Sequence, residues 1–419
     1  MGEALIRRIS RLWPGFLLLA ACEPQEPELP AFEVFDSGGI EVVVSHSPAG
    51  FPTAWTLSEE PILRIGKGRD ENPYLFMHIG EVTRLGDGSV VVMDASFREI
   101  RRFDAQGLHI VTFGGYGEGP GEFKSPRSWL RTGGDTLIVL DSDGTVARFD
   151  PDGRLLVEIP TDGLHPGNEL AYGEWVGVLP DGVLWGGRYP RQAERPEGRI
   201  FRNPYSLVIS DHDRTEVRTV GEFLMPSRFV GSDGVEGQYY PLFLTTTVPN
   251  RQPAGLLVGD NETFTIDLID SDGTHLRRIR YPGGVREPDP ESMEEVRRVM
   301  LEESEARAER TGGGQNPVGR VADLPNPAVW PGFMSLTGDE DGYVWAYEYR
   351  PGDMMALMYV TPSDAPYDAL VFHPDGHLLG SVQMPGRLIV REIGTDYVLG
   401  IEIDDMGVNE VVLYRLTGR

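Results

Sequence analysis

Cysteine is almost missing from this chain. Its 419 residues hold one, Cys22, which excludes any disulfide within the chain. Lysine is nearly as scarce: of 38 basic residues, only Lys67 and Lys124 are lysines. Arginine elsewhere would suit planar recognition of carboxylates or phosphates, but so uniform a shift reads first as codon bias in a GC-rich genome. Apolar runs of the roughly 20 residues that a membrane-spanning helix needs are also missing. No basic stripe interleaves with aromatics, and a net charge of −27 repels polyanions, so nucleic-acid binding is excluded. Motifs of chemistry are missing too. The eight histidines show no His-x-His or His-Glu-x-x-His spacing. His373 and His377 are four apart but bracket the turn Pro374-Asp-Gly376, where no helical face exists, so no metal site is expected of them. His78 precedes an inner strand and reads as edge or core packing. There is no Gly-x-Ser-x-Gly elbow for a hydrolase and no Cys-x-x-Cys-His for haem.

What is present begins with an address. Arg7, Arg8 and Arg11 precede the short apolar core Phe16-Leu-Leu-Leu-Ala-Ala21, the pattern of an export signal over residues 1–21. These residues carry a net +2, so the remainder carries −29. Leu19-Ala-Ala-Cys22 resembles the bacterial lipobox, which implies that Cys22 becomes a lipidated N-terminus. More than one acyl chain gives stable anchoring, at about 0.8 kcal/mol per buried CH₂. Glu23 is not the aspartate of inner-membrane retention, which favours the outer membrane, with the rest of the chain in the periplasm or at the cell surface. Residues 22–31 are rich in Pro and Glu and form an extended tether.

From residue 32 to 419 the chain repeats. Leu85-Gly-Asp-Gly88, Val90-Val-Val-Met93, Ile100-Arg-Arg-Phe-Asp104 and Gly107 are echoed by Gly133-Gly-Asp135, Leu137-Ile-Val-Leu140, Val146-Ala-Arg-Phe-Asp150 and Gly153. Turn signals recur 47 residues apart, from Asp87 to Gly134 and on to Asp181. That spacing suits a four-stranded blade of about 40–50 residues. The joint between the two copies, Gly114 to Pro126 (GGYGEGPGEFKSP), resembles the linker of NHL-repeat β-propellers. This implies an all-β fold: a six-bladed β-propeller of four-stranded antiparallel blades. Six repeats can be traced, the last with three strands of its own. Ile40-Glu-Val-Val-Val-Ser45, Trp55-Thr-Leu57 and Pro61 to Gly66 have no hairpin partner nearby and are expected to close the ring from the N-terminal side. A short helical insertion falls at about 288–312, with Met293, Val296 and Met300 on one face of residues 291–310 and Gly312-Gly-Gly314 as its stop.

Ligands of propellers meet the face where loops enter the innermost strands. That singles out Arg98 and Glu99, Glu118, Glu122, Lys124, Arg127, Tyr189, Arg191, Tyr349 and Arg350 as candidate ligand-face residues, Arg and Tyr being frequent anchors. Asp141-Ser-Asp-Gly144 and Asp270-Ser-Asp-Gly273 resemble pieces of calcium loops but lack the downstream glutamate and read as tight turns. A single calcium in the acidic central channel is the one cofactor the composition suggests. The function expected is a monomeric, lipid-anchored binding or scaffolding module for a protein, peptide or envelope polymer. The alternative is a metal-dependent propeller lyase or lactonase-like hydrolase with its site at the channel mouth, built from single residues of several blades.

Overall fold

The computed structural model describes residues 30–48, 55–66, 72–159, 171–179, 184–190, 196, 198–210, 217–231, 236–238, 245–251, 254–311, 325–350, 364–404 and 406–419. The signal, Cys22 and the candidate Arg191 lie outside them. Six antiparallel sheets follow one another along the chain, making the six-bladed β-propeller the repeats imply. Blade one pairs Ile79–Arg84, Val90–Asp94, Glu99–Phe103 and His109–Gly114 in sequence order. Blade two uses Pro126–Arg131, Leu137–Asp141, Val146–Phe149 and Leu155–Ile159, and blade three uses Ala171–Val178, Leu184–Pro190, Pro204–Ser210 and Val217–Leu224. Thr245–Arg251, Ala254–Asp260, Thr265–Asp270 and His275–Arg280 make blade four; Ser335–Gly338, Val344–Tyr347, Tyr367–Phe372 and Leu378–Met384 make blade five. Blade six has Leu388–Ile393, Tyr397–Ile403 and Asn409–Thr417.

The ring is held by six apolar interfaces, each joining two successive blades. Phe149 and Trp129 meet Val91 and Ile100 between blades one and two, and Val146 meets Val178 between two and three. Ile209 meets Leu256 between three and four, Phe264 meets Phe372 between four and five, and Val371 meets Val390 between five and six. Leu399 and Val411 then meet Val82 and Phe103, closing six onto one. Neither face of a lone four-stranded sheet can be covered by itself, so stacking blades around an axis is what buries these side chains. First strands of neighbouring blades approach one another, which places them around the axis.

Aspartate turns join the third and fourth strands. Asp104 Oδ1 accepts the amides of Gln106 (2.9 Å) and Leu108 (2.8 Å), and Asp150 and Asp270 do the same in blades two and four. The fourth residue of each turn has a left-handed backbone and is glycine: Gly107, Gly153 and Gly273, with φ of 77° to 83°. Asp270-Ser-Asp-Gly273 is therefore a turn, as the sequence suggests. Blade five departs from this pattern, with His373 in the aspartate's place and His377 at the closing position.

The N-terminal segment differs from expectation. Ile40–Ser45 does have a hairpin partner, Phe32–Ser37, joined through Gly38-Gly39, both left-handed (φ 67° and 87°) in a two-residue turn. This hairpin does not reach the last blade. It adds to the outside of blade four, Ile40–Ser45 running parallel to His275–Arg280. Thr56–Leu57 and Leu63–Ile65 do lie against Asn409–Thr417 of blade six. A small sheet of Ile200–Phe201, Arg228–Val230 and Glu236–Gln238 branches from blade three. The helix is Pro290–Thr311, between blades four and five. Met293 and Val296 are buried against Trp330 and Tyr349, whereas the side chain of Met300 lies outside the described residues.

Candidate functional site

The two faces of the ring differ. One carries the turns between first and second strands, and here polar groups bar the axis. Arg131 of blade two reaches Glu340 of blade five, directly across the ring, at 2.6 Å. Glu392 of blade six, nearly fully buried, accepts from Thr83 Oγ1, from the amide of Arg84 (3.2 Å) and from Tyr397 OH (2.5 Å). It thereby ties blade six to blade one. Burial, with Glu392 and Glu340 adding to it, drives the Tyr397 hydroxyl far above the usual phenol range, so it acts only as a neutral donor. Arg419 pairs with Asp339 (2.9 Å) and Asp341 (2.8 Å) beneath the rings of Trp55 and Tyr343. Between the faces, Glu81 from the first strand of blade one is pushed up by burial, and Arg391 of blade six counters this only in part. The Arg391 Nε is buried without a hydrogen-bond partner.

The other face receives the linkers that enter each first strand. Aspartates ending the second strands grip those linkers. Asp94 accepts the amide of Met77 (3.0 Å), and Asp141 accepts those of Lys124 and Ser125 (2.7 Å each). Asp141-Ser-Asp-Gly144 is thus a structural latch. The grip holds an apolar belt at the surface. Met406 is 84% exposed and Tyr116 73%, and Leu75, Met77, Phe97 and Val408 are also exposed. Polar residues link several of them: Asn409 Nδ2 reaches Met77 O (3.5 Å), Arg101 reaches Leu75 O (2.7 Å) and lies over Phe97, and Arg98 lies over Tyr116 (4.6 Å). Beside Met406 and Val408 is a hollow of about 380 Å³ lined by Arg387, Glu402, Asp404 and Glu410.

Several sequence candidates meet here. Arg98 has a left-handed backbone (φ 59°) and donates from Nε to Lys124 O (2.6 Å); Lys124 pairs with Glu118 (3.3 Å) and Asp143 (3.5 Å). A non-glycine residue held in that conformation is strained, which is common where a side chain is aimed for a purpose. Glu99 binds Arg101 (2.9 Å). Glu122 caps its own linker by accepting from Gly119 N (2.8 Å), and Arg127 is exposed. The rest lie apart. Tyr189 is half-buried and stacks on Tyr205 at 5.7 Å. Arg350 lies over Tyr367 and donates to Ala365 O. Tyr349 is buried against Trp330 beneath the helix, so it supports the insertion rather than facing a ligand. The belt's own apolar members were not singled out from the sequence, because exposure of a lone Met or Leu leaves no mark in it.

A metal-capable cluster lies elsewhere. His373, Asp375 and His377 offer ligand atoms within 4.8 Å of one another on the outer turn of blade five. Burial opposes the charge of Asp375, but the hydrogen bond from His373 and the nearness of both imidazoles outweigh it and hold its carboxyl below the usual range. Among the described residues, the inner strands bring no such set together. His78, exposed at the entry to blade one, uses its backbone oxygen to accept from Ala95.

No protein-family profile matches the chain, and no curated protein matches it by sequence. Solved structures resemble it in fold. A member of the DUF4221 family from Bacteroides vulgatus is 12% identical with a TM-score of 0.49, over 87% of this chain and 99% of that one. A Bacteroides fragilis protein described as exported is 12% identical with a TM-score of 0.46, over 90% and 99%. Virginiamycin B lyase from Staphylococcus aureus is 9% identical with a TM-score of 0.38, over 87% and 99%. Likeness this distant carries nothing about ligand or chemistry, and the fold rests on the strand pairing itself.

Proposed function

We propose that this protein is a lipid-anchored propeller of the cell envelope that binds a protein partner through the linker face of blades six, one and two. The observation that supports it is the exposed belt of Leu75, Met77, Phe97, Tyr116, Met406 and Val408, held up by buried aspartates. A group of exposed apolar side chains gathered on one face in this way marks an interaction site. Its composition, Met and aromatics beside Arg98 and Arg387, is that of interface cores. The hollow's acids and the chain's charge of −27 favour a partner with basic residues around apolar anchors. The address rests on the lipobox-like Leu19-Ala-Ala-Cys22, and the NHL-like linker fits a repeat built for binding.

The test compares proteins that co-purify from envelopes with the natural chain and with two variants. Met77→Glu combined with Met406→Glu should remove the partner. Leu156→Glu, on the outer strand of blade two, should retain it. Equal retention by both would overturn the reading. A second reading, an enzyme acting in the channel, rests on Glu81 and Arg391 alone. Glu81→Gln would abolish such an activity and leave partner binding unchanged.

A further inference from the structure

We propose that the turn His373–His377 binds one divalent transition metal, zinc or copper(II), through the imidazoles of His373 and His377 and the carboxylate of Asp375. The three side chains already converge. Asp375 Oδ1 lies 2.7 Å from His373 Nδ1 and 2.5 Å from His377 Nδ1, and the two rings stack with centroids 4.9 Å apart. A zinc ion with bonds of about 2.0–2.2 Å to nitrogen and oxygen needs ligand atoms roughly 3.0–3.5 Å apart. The ligand atoms already lie within 4.8 Å of one another, so shifts on the order of an ångström reach that spacing.

The Asp375 amide lies 3.2 Å from His373 Nδ1, a contact that serves the turn, but three further observations point to a ligand as well. The fold makes the same turn without histidine. Asp104, Asp150 and Asp270 open it in blades one, two and four, and Leu108, Arg154 and Thr274 close it. Blade five replaces both positions with imidazoles and keeps an acid between them. The Nδ1 of His377 is buried and is turned to the Asp375 carboxylate at 2.5 Å, with no other hydrogen-bond partner. The rings are also held in place. Phe32 stacks on His377 at 4.5 Å, Tyr343 meets His373 edge-on at 5.6 Å, and Ser45 Oγ accepts from Leu378 N (2.9 Å). Arg277 is the cation near the turn, donating to Pro374 O, and Glu41 neutralises it.

Two imidazoles and one carboxylate suit zinc or copper(II), whereas calcium and magnesium prefer all-oxygen sets. Asp375 is on the exposed side, leaving the remaining coordination positions to water. Because Phe32 rests on His377, a bound ion also fixes the seat of the hairpin, joining the strand Phe32–Ser37 to blade five.

The experiment titrates purified full-length protein in detergent with zinc chloride and, separately, with copper(II) chloride, reading heat and the copper EPR spectrum. One equivalent should bind, and the copper spectrum should show coupling to two nitrogens. His373→Asp should weaken binding by at least about tenfold, since an imidazole is lost and the new carboxylate takes the turn's amides, as Asp270 does in blade four. Adding His377→Thr should abolish it. That double variant copies the first and fifth residues of blade four's own turn, and melting without metal checks that it folds. Calcium and magnesium should not compete. No binding at micromolar metal, unchanged binding by the folded double variant, or a copper spectrum without nitrogen coupling would each overturn the proposal.

Discussion

Replacing Glu392 would test how the ring is locked where its ends meet. This carboxylate is buried on the first strand of blade six and serves three donors: Thr83 Oγ1 and the Arg84 amide of blade one, and Tyr397 OH of its own blade. Glu392→Ala leaves all three without an acceptor. Each buried donor left unsatisfied costs about 1–3 kcal/mol, so the loss should be about 5 kcal/mol, towards the lower part of the sum because Thr83 can turn to another partner. Arg131 also loses a counter-charge that raises its pKa. Glu392→Gln keeps an oxygen for Arg84 and Tyr397, and its amide can donate to Thr83, so it should cost only about 1–2 kcal/mol. An unfolding entropy of about 2.1 cal/mol/K per residue over about 390 residues makes 1 kcal/mol worth about 1.2 °C. The alanine variant should then melt about 6 °C lower and the glutamine variant about 2 °C lower, as followed by circular dichroism. Equal shifts, or an alanine shift below about 1 °C, would refute the claim that this carboxylate ties blade six to blade one.

Glu81→Gln should act in the opposite direction and depend on pH. Burial raises the folded-state pKa of Glu81 above its unfolded value, so the folded chain holds the proton more tightly and stability falls as pH rises between the two values. The glutamine variant should therefore melt above the natural protein at pH 7 and lose that advantage below about pH 4, where both states are protonated. An advantage that persisted at low pH would contradict the assignment. Removing residues up to 66 strips Thr56–Leu57 and Leu63–Ile65 from blade six and bares Asn409–Thr417 as a long edge, so aggregation is expected in light scattering. Removal up to 48 takes only the outer hairpin of blade four and should leave the chain dispersed.

The sequence disclosed the ring because its repeat is written in turn residues. Asp87, Gly134 and Asp181 recur at one interval, and Gly107 and Gly153 sit where the backbone is left-handed. The Phe32–Ser45 hairpin escaped notice because Gly38-Gly39 joins strands that belong to no repeat. The pairing of His373 with His377 is not legible from helical spacing, because it is a tight turn that brings its first and fifth residues face to face. Arg98, Glu118 and Lys124 were legible as a group, since the linker rule places them on one face. The burial of Tyr349 is not legible locally, because the helix that covers it begins some 60 residues earlier in the chain. Nothing local marks Met77 and Asn409 as neighbours either, for they meet only when blade six closes on blade one.

Site-specific photo-cross-linking in intact cells tests the central claim most directly, with the photoreactive residue placed at Met406 in one strain and at Leu156 in another. The account predicts a discrete protein adduct from Met406 and none from Leu156. Adducts of the same kind from both positions, or from Leu156 alone, would contradict it.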